Sequence, residues 1–473
     1  MRSLLLSILV LAVGAAAQSG RVVTPDTSRP TGGQAVVPDR TVKQMFEEAN
    51  GYSKAKFTEY AAKKVFYSDA LLEKTKLEQR QLAARYATNA GARKDLAGDD
   101  YYYLGMLHWI AENLDGTTEA LRKFIAVDGA DAVRRQTARS IVVVVLAKQK
   151  KVDEAESMLA EYLKAEPSKL TERSRMEGEL AKAYQAKQDF VRTALHAEAA
   201  YSTSKGLLKD AASRARGLDE ILDAGMLVFE AFRDGNERQK AEAALDDMRA
   251  LAVSTTSPSF YYYAVDQKIK YLIETGRKPT ALELYKSALA SAEKDFLDKG
   301  QQSDVLTRLR KRERHYALLG EAAPEMPLID QWFPGKPRTF AEMKGKVVLL
   351  DFWATWCGPC YDAFPHLTEW HQDLRPQGLE ILGVTRYYGL VNGVTATPAA
   401  ELAYLQRFRT TEKLPYDFVV GKDTSIQLLY GATGLPTTVI IDRKGVIRYI
   451  ETGTSQTRIE QMHEMVLKLL AEK

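Results

Sequence analysis

Two patterns of apolar and polar positions divide the chain. From residue 41 to about 318, apolar residues recur with a helical period among Ala, Leu, Lys, Glu and Arg, and proline is scarce. From about residue 320, short apolar runs alternate with helical segments, which is typical of an α/β unit. The sequence therefore predicts a multidomain protein, with an all-α region at 41–318 followed by an α/β domain at 319–473.

The helical region carries a loose internal repeat. Turns that open a new helix recur with alanine at a matching place, at Ala120, Ala155 and Ala194, 35 and then 39 residues apart. This spacing resembles that of tetratricopeptide (TPR) repeats, whose period is about 34 residues, although their full Trp-Leu-Gly-Tyr pattern is absent. We therefore expect TPR-like helical hairpins, which can stack into a curved surface.

One apolar run, Ile141 to Leu146, is compatible with two structures. Its length and its β-branched residues suit a buried strand. The long helical segments on both sides favour a buried helix instead, because periodicity alone does not separate the two in so short a run. We expect the helix.

The N-terminal residues 1–17 have the pattern of a secretory signal peptide. An apolar core follows the positively charged Arg2, and an A-x-A pattern ends at Ala17, where cleavage is expected. The apolar core is shorter than the roughly 20 residues that a membrane span needs, and retention as an uncleaved anchor is the alternative. We expect a periplasmic or secreted protein with a flexible leader at 18–40.

Composition argues against several classes of function. Lys and Arg number 66 against 62 Asp and Glu, and this balance argues against nucleic acid or an anionic membrane as the main partner. After the N-terminus no segment is apolar for long enough to span a bilayer, so no integral membrane span is expected in the mature chain. A glycine-rich dinucleotide fingerprint is also missing, so we predict no bound nicotinamide or flavin cofactor.

The only two cysteines, Cys357 and Cys360, form a Cys-x-x-Cys pair directly after an apolar run that predicts a strand. Such a pair, where a strand passes into a helix, is the arrangement that thiol–disulfide exchange requires. A helix that begins near Cys357 would stabilise the thiolate of that residue, and Cys360 is expected to be more buried. Pro359 suits a first helical turn, and Gly358 leaves room for a partner chain.

Two other roles for the cysteine pair are less favoured. His366 and His371 follow closely, but the gap between the two pairs is much shorter than the roughly 12 residues of a zinc finger. We therefore predict no metal site here. A permanent structural disulfide is the other alternative, although closing so small a loop restrains the unfolded chain little and gives little stability.

Three separated motifs carry a resemblance to a known family. They are the strand and cysteine loop at 348–360, the upstream segments Ala323-Pro324 and 345–348, and Thr433-Gly434-Leu435-Pro436-Thr437 with the strand that follows. Taken in their order along the chain, the three motifs resemble those of the TlpA/ResA-like exported thiol–disulfide oxidoreductases, which have a thioredoxin fold. The resemblance covers about residues 318–473. An insert at 386–415, with a helix predicted at 398–409, is similar to the same group.

The resemblance implies roles for individual residues. Cys357 would be the attacking thiol and Cys360 the resolving one, together forming the redox-active disulfide. Pro436 would be a cis-proline packed against that disulfide, and Leu435 would offer its backbone to a substrate strand. Trp356, Gly358 and Pro359 complete the predicted substrate-binding set, while Trp353 is expected in the core. Without the resemblance, an ordinary turn proline is the simpler interpretation of Pro436.

Asp351 is the one acid in an otherwise apolar strand. If it is buried, its pKa is raised, and it can accept the proton of Cys360 directly or through water. The alternative is a solvated position at a strand edge. Its place resembles that of the cytosolic thioredoxins, whereas many ResA-like proteins carry Asn there. Some of those have an acid at the end of the next strand, but here Leu379 to Thr385 is followed by Arg386-Tyr387-Tyr388.

The Gly-Pro pair between the cysteines resembles that of reducing thioredoxins, whose potential is about −270 mV, rather than oxidants near about −120 mV. We therefore predict an exported disulfide reductase that acts on disulfide-containing exported proteins, with a membrane protein as electron donor. The helical region would bind partners or act as a spacer. The alternatives are a disulfide oxidase or isomerase on the same fold, or a non-catalytic helical-repeat interaction protein. A peroxidase is less favoured, because the proline that precedes its cysteine is missing.

Overall fold

The structure is a computed structural model that describes residues 40–209 and 213–472. The predicted signal peptide and nearly all of the predicted leader lie outside the described residues. The chain divides between Leu245 and Asp246 into two compact units. In the described ranges, none of the helices combines the length and the apolar character that crossing a bilayer requires.

The unit that ends at Leu245 is built from helices. They are α1 (Val42–Ala62), α2 (Asp69–Gly91), α3 (Asp100–Ile110), α4 (Leu114–Ile125), α5 (Ala132–Lys148), α6 (Val152–Lys164), α7 (Leu170–Ala186), α8 (Phe190–Leu207), α9 (Arg214–Asp234) and α10 (Arg238–Ser254), which runs across the division. From α1 to α9 consecutive helices pack together, and α1 also packs on α3, α5 on α7, and α7 on α9. The predicted helical N-terminal region is confirmed.

Helix α5 contains the ambiguous apolar run. Every residue from Ser140 to Ala147 is buried, because α5 packs against α4, α6 and α7 together. A helix enclosed in this way is apolar on all sides, so its sequence shows little periodicity. Asp131 caps its first turn by accepting a hydrogen bond from the Arg134 N–H at 2.9 Å. The helix prediction for this run is confirmed, and the strand alternative is wrong.

The second unit combines helices with strands. Its helices are α11 (Pro258–Glu274), α12 (Lys278–Asp295), α13 (Lys299–Leu318), α14 (Cys360–Leu374), α15 (Pro398–Thr411), α16 (Ser425–Tyr430) and α17 (Gln456–Ala471), with a 3₁₀ turn at Arg375–Gln377. Its strands are β1 (Ile329–Phe333), β2 (Val347–Phe352), β3 (Leu379–Arg386), β4 (Leu390–Val391), β5 (Val394–Thr395), β6 (Asp417–Gly421), β7 (Thr437–Ile441) and β8 (Ile447–Thr452).

Six of these strands form one mixed sheet in the order β1-β6-β3-β2-β7-β8. Strand β3 runs parallel to both β2 and β6, whereas β7 is antiparallel to β2 and to β8, and β1 is antiparallel to β6. The small hairpin β4–β5 and helix α15 form the insert, which confirms the helix predicted at 398–409. An α/β domain therefore follows the helical region, as the sequence predicts.

Strand β2 separates two apolar cores, and all of its residues are buried. Val347 and Leu349 belong to the core that also contains both cysteines. Leu350 belongs to the core on the opposite face, which also contains Leu318 at the end of α13. Because side chains alternate along a strand, Asp351 projects toward the cysteine side of the sheet.

Helices α11 and α13 are joined to β8 by a buried ionic cluster of Asp266, Lys270, Arg312 and Glu451. The Arg312 Nε donates to Asp266 at 3.1 Å, and its Nη2 donates to Glu451 at 3.2 Å. The Lys270 ammonium lies 2.7 Å from the Asp266 carboxylate and also contacts Glu451. These helices therefore belong to the same compact unit as the sheet.

Candidate active site

The cysteine pair lies between the end of β2 and the start of α14. Cys357 and Cys360 form a disulfide with their Cα atoms 5.4 Å apart. Helix α14 begins at Cys360 with Pro359 as its N-cap, rather than near Cys357 as the sequence suggests. The cause is a turn in which the Cys360 N–H donates to the Cys357 carbonyl at 3.0 Å, an i→i+3 bond that precedes the first α-helical one.

The disulfide keeps the Cys357 sulfur at the N-terminal end of α14, because Cys360 is the first residue of that helix. Unpaired N–H groups give this end of a helix a partial positive charge. Cys360 is fully buried and Cys357 is 4% exposed, so the prediction that Cys360 is the more buried is confirmed. Cys357 is therefore the more accessible of the two cysteines, and a positive helix end favours a thiolate at its position.

The rim of the site is formed by three residues next to Cys357. Trp356 is 58% exposed, and Gly358 and Pro359 are exposed as well. The Trp356 ring stands edge-on to Tyr388, with the ring centres 5.2 Å apart. Trp353 differs from Trp356, because it is fully buried and stacks on a phenylalanine of α15, as expected for a core residue.

The Leu435–Pro436 peptide bond is cis, the isomer that the resemblance implies. Pro436 directly precedes β7, which pairs antiparallel with β2 from Thr437 opposite Phe352. The residue before Thr437 therefore lies beside the chain that leaves Phe352 for the cysteine loop. Leu435 packs against the core cluster that contains both cysteines. The fold thus brings Pro436 and Leu435 to the cysteine pair.

Asp351 is buried within the sheet, one residue before the end of β2. It is 1% exposed, and neither of its carboxylate oxygens has a hydrogen-bond partner among the described residues. Burial raises the pKa of this carboxyl to about 7, because the ionised form loses its hydration. The alternative of a solvated strand edge is wrong. A group that changes its protonation near neutral pH lies on the cysteine side of the sheet.

Two further buried polar groups near Asp351 were not identified from the sequence. The Trp353 indole N–H and the Tyr416 hydroxyl have no hydrogen-bond partner in the described part of the chain. Burial, and after it the charge of Asp351, holds the pKa of Tyr416 well above its usual value. A Cβ atom at Gly383, which pairs with Asp351, would lie 2.9 Å from the Trp353 nitrogen. A glycine inside an apolar strand is the signal that marks such a close approach.

An acidic residue does reach the end of β3, although the sequence around Arg386 contains none. Glu401 of α15 accepts hydrogen bonds from the backbone N–H groups of Tyr388 and Gly389 at 2.8 and 2.9 Å. The Arg386 guanidinium lies 4.0 Å from the centre of the Tyr388 ring, which in turn supports Trp356. The insert therefore holds the wall of the site beside Trp356.

Neither histidine considered for zinc joins the cysteine pair, because the two cysteines are bonded to each other. The His366 ring lies 6.3 Å from that of Trp370, and the His371 ring lies 6.1 Å from that of Tyr416. Within the described ranges, no group of three or more His, Cys, Asp or Glu residues is placed to hold a metal ion.

Comparison with known proteins agrees with this geometry. A family model described as the AhpC/TSA family matches residues 319–450. The thiol-disulfide oxidoreductase ResA of Geobacillus thermodenitrificans is 30% identical over 142 residues, which cover 30% of this chain and 74% of that protein. The chain belongs to the ResA-like thiol–disulfide oxidoreductases. ResA of Bacillus subtilis is also 30% identical, over 28% of this chain and 68% of its own length.

This ResA-like protein is a protein disulfide oxidoreductase with Cys357 and Cys360 as its cysteine pair, and the predicted thioredoxin-type fold of its C-terminal domain is confirmed. A solved structure, described as a putative thiol:disulfide interchange protein DsbE from Chlorobium tepidum, is 27% identical. The match covers 32% of this chain and 98% of the chain in that structure, with a TM-score of 0.26.

Proposed function

We propose that this ResA-like protein is an exported disulfide reductase in which Cys357 attacks and Cys360 resolves. One observation carries the proposal. The cysteine pair lies at the N-terminal end of α14, and Cys357 is slightly exposed, at 4%, whereas Cys360 is fully buried. This asymmetry suits a mechanism in which Cys357 attacks the disulfide of a partner and Cys360 then attacks the Cys357 sulfur.

The reaction starts from the reduced pair. The Cys357 thiolate attacks one sulfur of a substrate disulfide, the substrate S–S bond breaks, and the other substrate sulfur leaves as a thiolate that takes up a proton. The ionised Asp351 then accepts the proton of the Cys360 thiol, directly or through water. The resulting Cys360 thiolate attacks the Cys357 sulfur and releases the second substrate thiol. Two electrons pass to the substrate, and the enzyme is left with its own disulfide.

The residues around the pair would orient the substrate. Pro436 cannot donate a backbone hydrogen bond, so the half-buried Leu435 beside it is left to pair with an extended substrate strand. Trp356 offers an exposed apolar face next to Cys357. The exposed Gly358 and Pro359 leave the approach to Cys357 open.

The wider setting of the reaction is part of the same proposal. The Gly-Pro pair between the cysteines supports reduction as the direction, and the signal-like N-terminus supports a periplasmic or secreted location. Substrates would be exported proteins with disulfides, and a membrane protein would supply electrons. The helical region at 41–318 would form TPR-like repeats that bind a partner or act as a spacer. The buried Ala120, Ala155 and Ala194 support this, because small residues let helices pack closely.

The test is reduction of insulin by the fully pre-reduced protein. We expect the wild type to reduce insulin, Cys357→Ser to be inactive, and Cys360→Ser to accumulate mixed disulfides because the resolving thiol is missing. Equilibration with glutathione should give a potential nearer about −270 mV than about −120 mV. Mass spectrometry of the complexes trapped by Cys360→Ser would name the substrates.

Three outcomes would contradict the proposal. A potential near that of strong oxidants would make the protein an oxidase. Faster repair of scrambled disulfides than reduction of insulin would make it an isomerase. No reduction by the fully reduced wild type, with both serine variants behaving alike, would leave the non-catalytic interaction protein as the better description.

A further inference from the structure

Helix α13 lies directly against the loop that leads to Pro436. Arg312 donates to the His315 Nδ1 at 2.9 Å, so His315 carries its proton on Nε2 and donates it to the Gly431 carbonyl at 2.8 Å. The Arg314 Nε donates to the Leu429 carbonyl at 2.8 Å. A Cβ atom at Gly431 would lie 2.8 Å from the His315 ring. The helix and this end of the loop therefore touch without space between them.

The solvent side of this contact is a groove, which we call the α13 groove. One wall is an exposed stripe that recurs at each turn along α13, and the other is the loop at Gly431 and Thr433. The stripe comprises Thr307, Arg310, Lys311, Arg314 and Ala317. The groove is open to solvent and has a volume of about 660 Å³, which is large enough for a few side chains of a peptide.

The charge of the α13 groove is positive. Arg310, Lys311 and Arg314 line it, and Glu313 is the one acid among its lining residues. Neither Arg310 nor Lys311 forms an ion pair with a described residue, whereas Arg308, on the same helix but outside the groove, pairs with Asp304 at 2.8 Å. The groove thus offers cationic side chains that an acidic partner could pair with.

The position of the groove relates it to the cysteine chemistry. Thr433 in its wall is three residues before Pro436, so the two Cα atoms lie within about 11 Å of each other. Leu435 packs against both the core cluster that contains the cysteines and the cluster on the opposite face of the sheet, to which α13 contributes Leu318. A polypeptide strand that passes Leu435 to reach Cys357 can therefore continue into the groove.

We propose that the α13 groove binds an acidic segment of the polypeptide substrate, so that disulfides flanked by Asp and Glu are reduced in preference to neutral ones. This rests on the proposed disulfide exchange and adds the substrate class to it. An exposed basic helix face is commonly no more than solvated surface. Two features distinguish this one: its cations have no ion-pair partners among the described residues, and it is continuous with the cis-proline loop.

The experiment uses the full-length, pre-reduced protein and two disulfide-bonded peptides. The peptides have the same length and loop, with Asp and Glu on both flanks of one and Asn and Gln on the other. Rates are followed by thiol release at low and at high salt. We expect the wild type to reduce the acidic peptide about tenfold faster at low salt, with the difference shrinking as salt screens the charges.

Two double variants locate the effect. Arg310→Glu with Lys311→Glu should abolish the preference and leave the rate for the neutral peptide within about twofold. Lys286→Glu with Lys294→Glu on α12 makes the same change in net charge at exposed positions outside the groove, and should keep the preference. An acidic peptide without cysteines should slow reduction of the acidic peptide only.

Several results would overturn the proposal. Equal wild-type rates for both peptides would remove the acidic preference while leaving disulfide reduction intact. An equal loss of preference in both double variants would assign the effect to the overall charge of the protein. A lack of competition by the cysteine-free peptide would exclude binding. Failure to reduce either peptide would contradict the proposed function itself.

Discussion

Two aspartates in the same compact unit are both buried, but their surroundings shift their pKa values in opposite directions. Asp351 on β2 is 1% exposed and Asp266 on α11 is 4% exposed. Neither oxygen of Asp351 has a partner among the described residues. Asp266 is held by Arg312, Lys270 and a hydrogen bond from the Tyr316 hydroxyl at 2.7 Å. Burial alone therefore does not decide the charge of a carboxyl group.

The surroundings decide the direction in which each pKa moves. Burial raises the pKa of Asp351 to about 7, and no cation among the described residues counters it. Burial would raise the pKa of Asp266 as well, but the charges of Arg312 and Lys270 more than reverse this effect and lower the pKa below its usual value. Asp266 therefore stays ionised and structural, while Asp351 gains or loses its proton near neutral pH, as a proton acceptor in thiol chemistry must.

The largest expected effect comes from breaking the ionic cluster. Arg312→Met leaves Asp266 and Glu451 with only Lys270 for compensation, and loss of a buried partner costs about 3–5 kcal/mol. Arg308→Met removes the exposed Arg308–Asp304 pair on the same helix and should cost no more than about 1 kcal/mol. Denaturant unfolding measures both. Equal costs would show that the cluster does not stabilise the unit.

Substitution of Asp351 is expected to raise the free energy of unfolding rather than lower it. Its folded pKa of about 7 lies above the ordinary value of 3.8, so between these two pH values the folded state binds more protons than the unfolded state. Stability therefore falls as pH rises through this window and stays reduced above about 7. Asp351→Asn has no proton to lose. At pH 8 the oxidised variant should be more stable than wild type by up to about 4 kcal/mol, at about 1.4 kcal/mol per pKa unit.

This gain should shrink as the pH falls toward about 4 and vanish below it, where the wild-type carboxyl keeps its proton in the unfolded state as well as in the folded one. Unfolding of the oxidised proteins between pH 4 and pH 8 measures it. Asp373→Asn, at an exposed position of α14, is the matched control and should show no such trend. A constant difference across this range would mean that Asp351 does not titrate in it.

The same substitution should slow the chemistry. Without the carboxylate, Cys360 loses the acceptor proposed for its proton, so release of the substrate from the mixed disulfide should slow by about 10²-fold at pH 7. In wild type this step should accelerate as the pH rises through about 7, because Asp351 must be ionised to accept the proton. Stopped-flow measurement of the second thiol released would show both effects. An unchanged pH profile in Asp351→Asn would exclude this role.

Sequence reasoning succeeded where the signal lies in neighbouring residues. Cys357 and Cys360 are close together, and Asp351 interrupts an apolar run that itself predicts a buried strand. Pro436 lies in a motif of consecutive residues that precedes a strand. Burial and the strand could be expected from the neighbouring residues, whereas the cis bond at Pro436 was expected only from the family resemblance. The start of α14 was placed too early because the i→i+3 turn at Cys357 has no sequence pattern of its own.

The ionic cluster could not be predicted in this way. Arg312 meets residues that are 46 and 139 positions away in the chain, Asp266 and Glu451. A charged residue on a helix is usually solvated, and nothing near Arg312 distinguishes it from the exposed Arg310 of the same helix. Only the packing of α13 against β8 makes that difference. The hydroxyl of Tyr416 near Asp351 was missed for the same reason.

The smallest expected effect comes from removing one tyrosine hydroxyl beside each aspartate. Because the same substitution can be made beside Asp266 and beside Asp351, it tests the comparison of the two most directly. Tyr316 donates its hydroxyl hydrogen to Asp266, whereas the buried hydroxyl of Tyr416 near Asp351 has no partner among the described residues. Tyr316→Phe removes a hydrogen bond to a charged group and should cost about 1.5–3 kcal/mol. Tyr416→Phe removes a polar atom that is desolvated without compensation, so stability should change by less than about 1 kcal/mol or rise slightly. Unfolding of the two variants at one pH measures the difference, and a larger loss from Tyr416→Phe would mean that Asp351 has a polar partner after all.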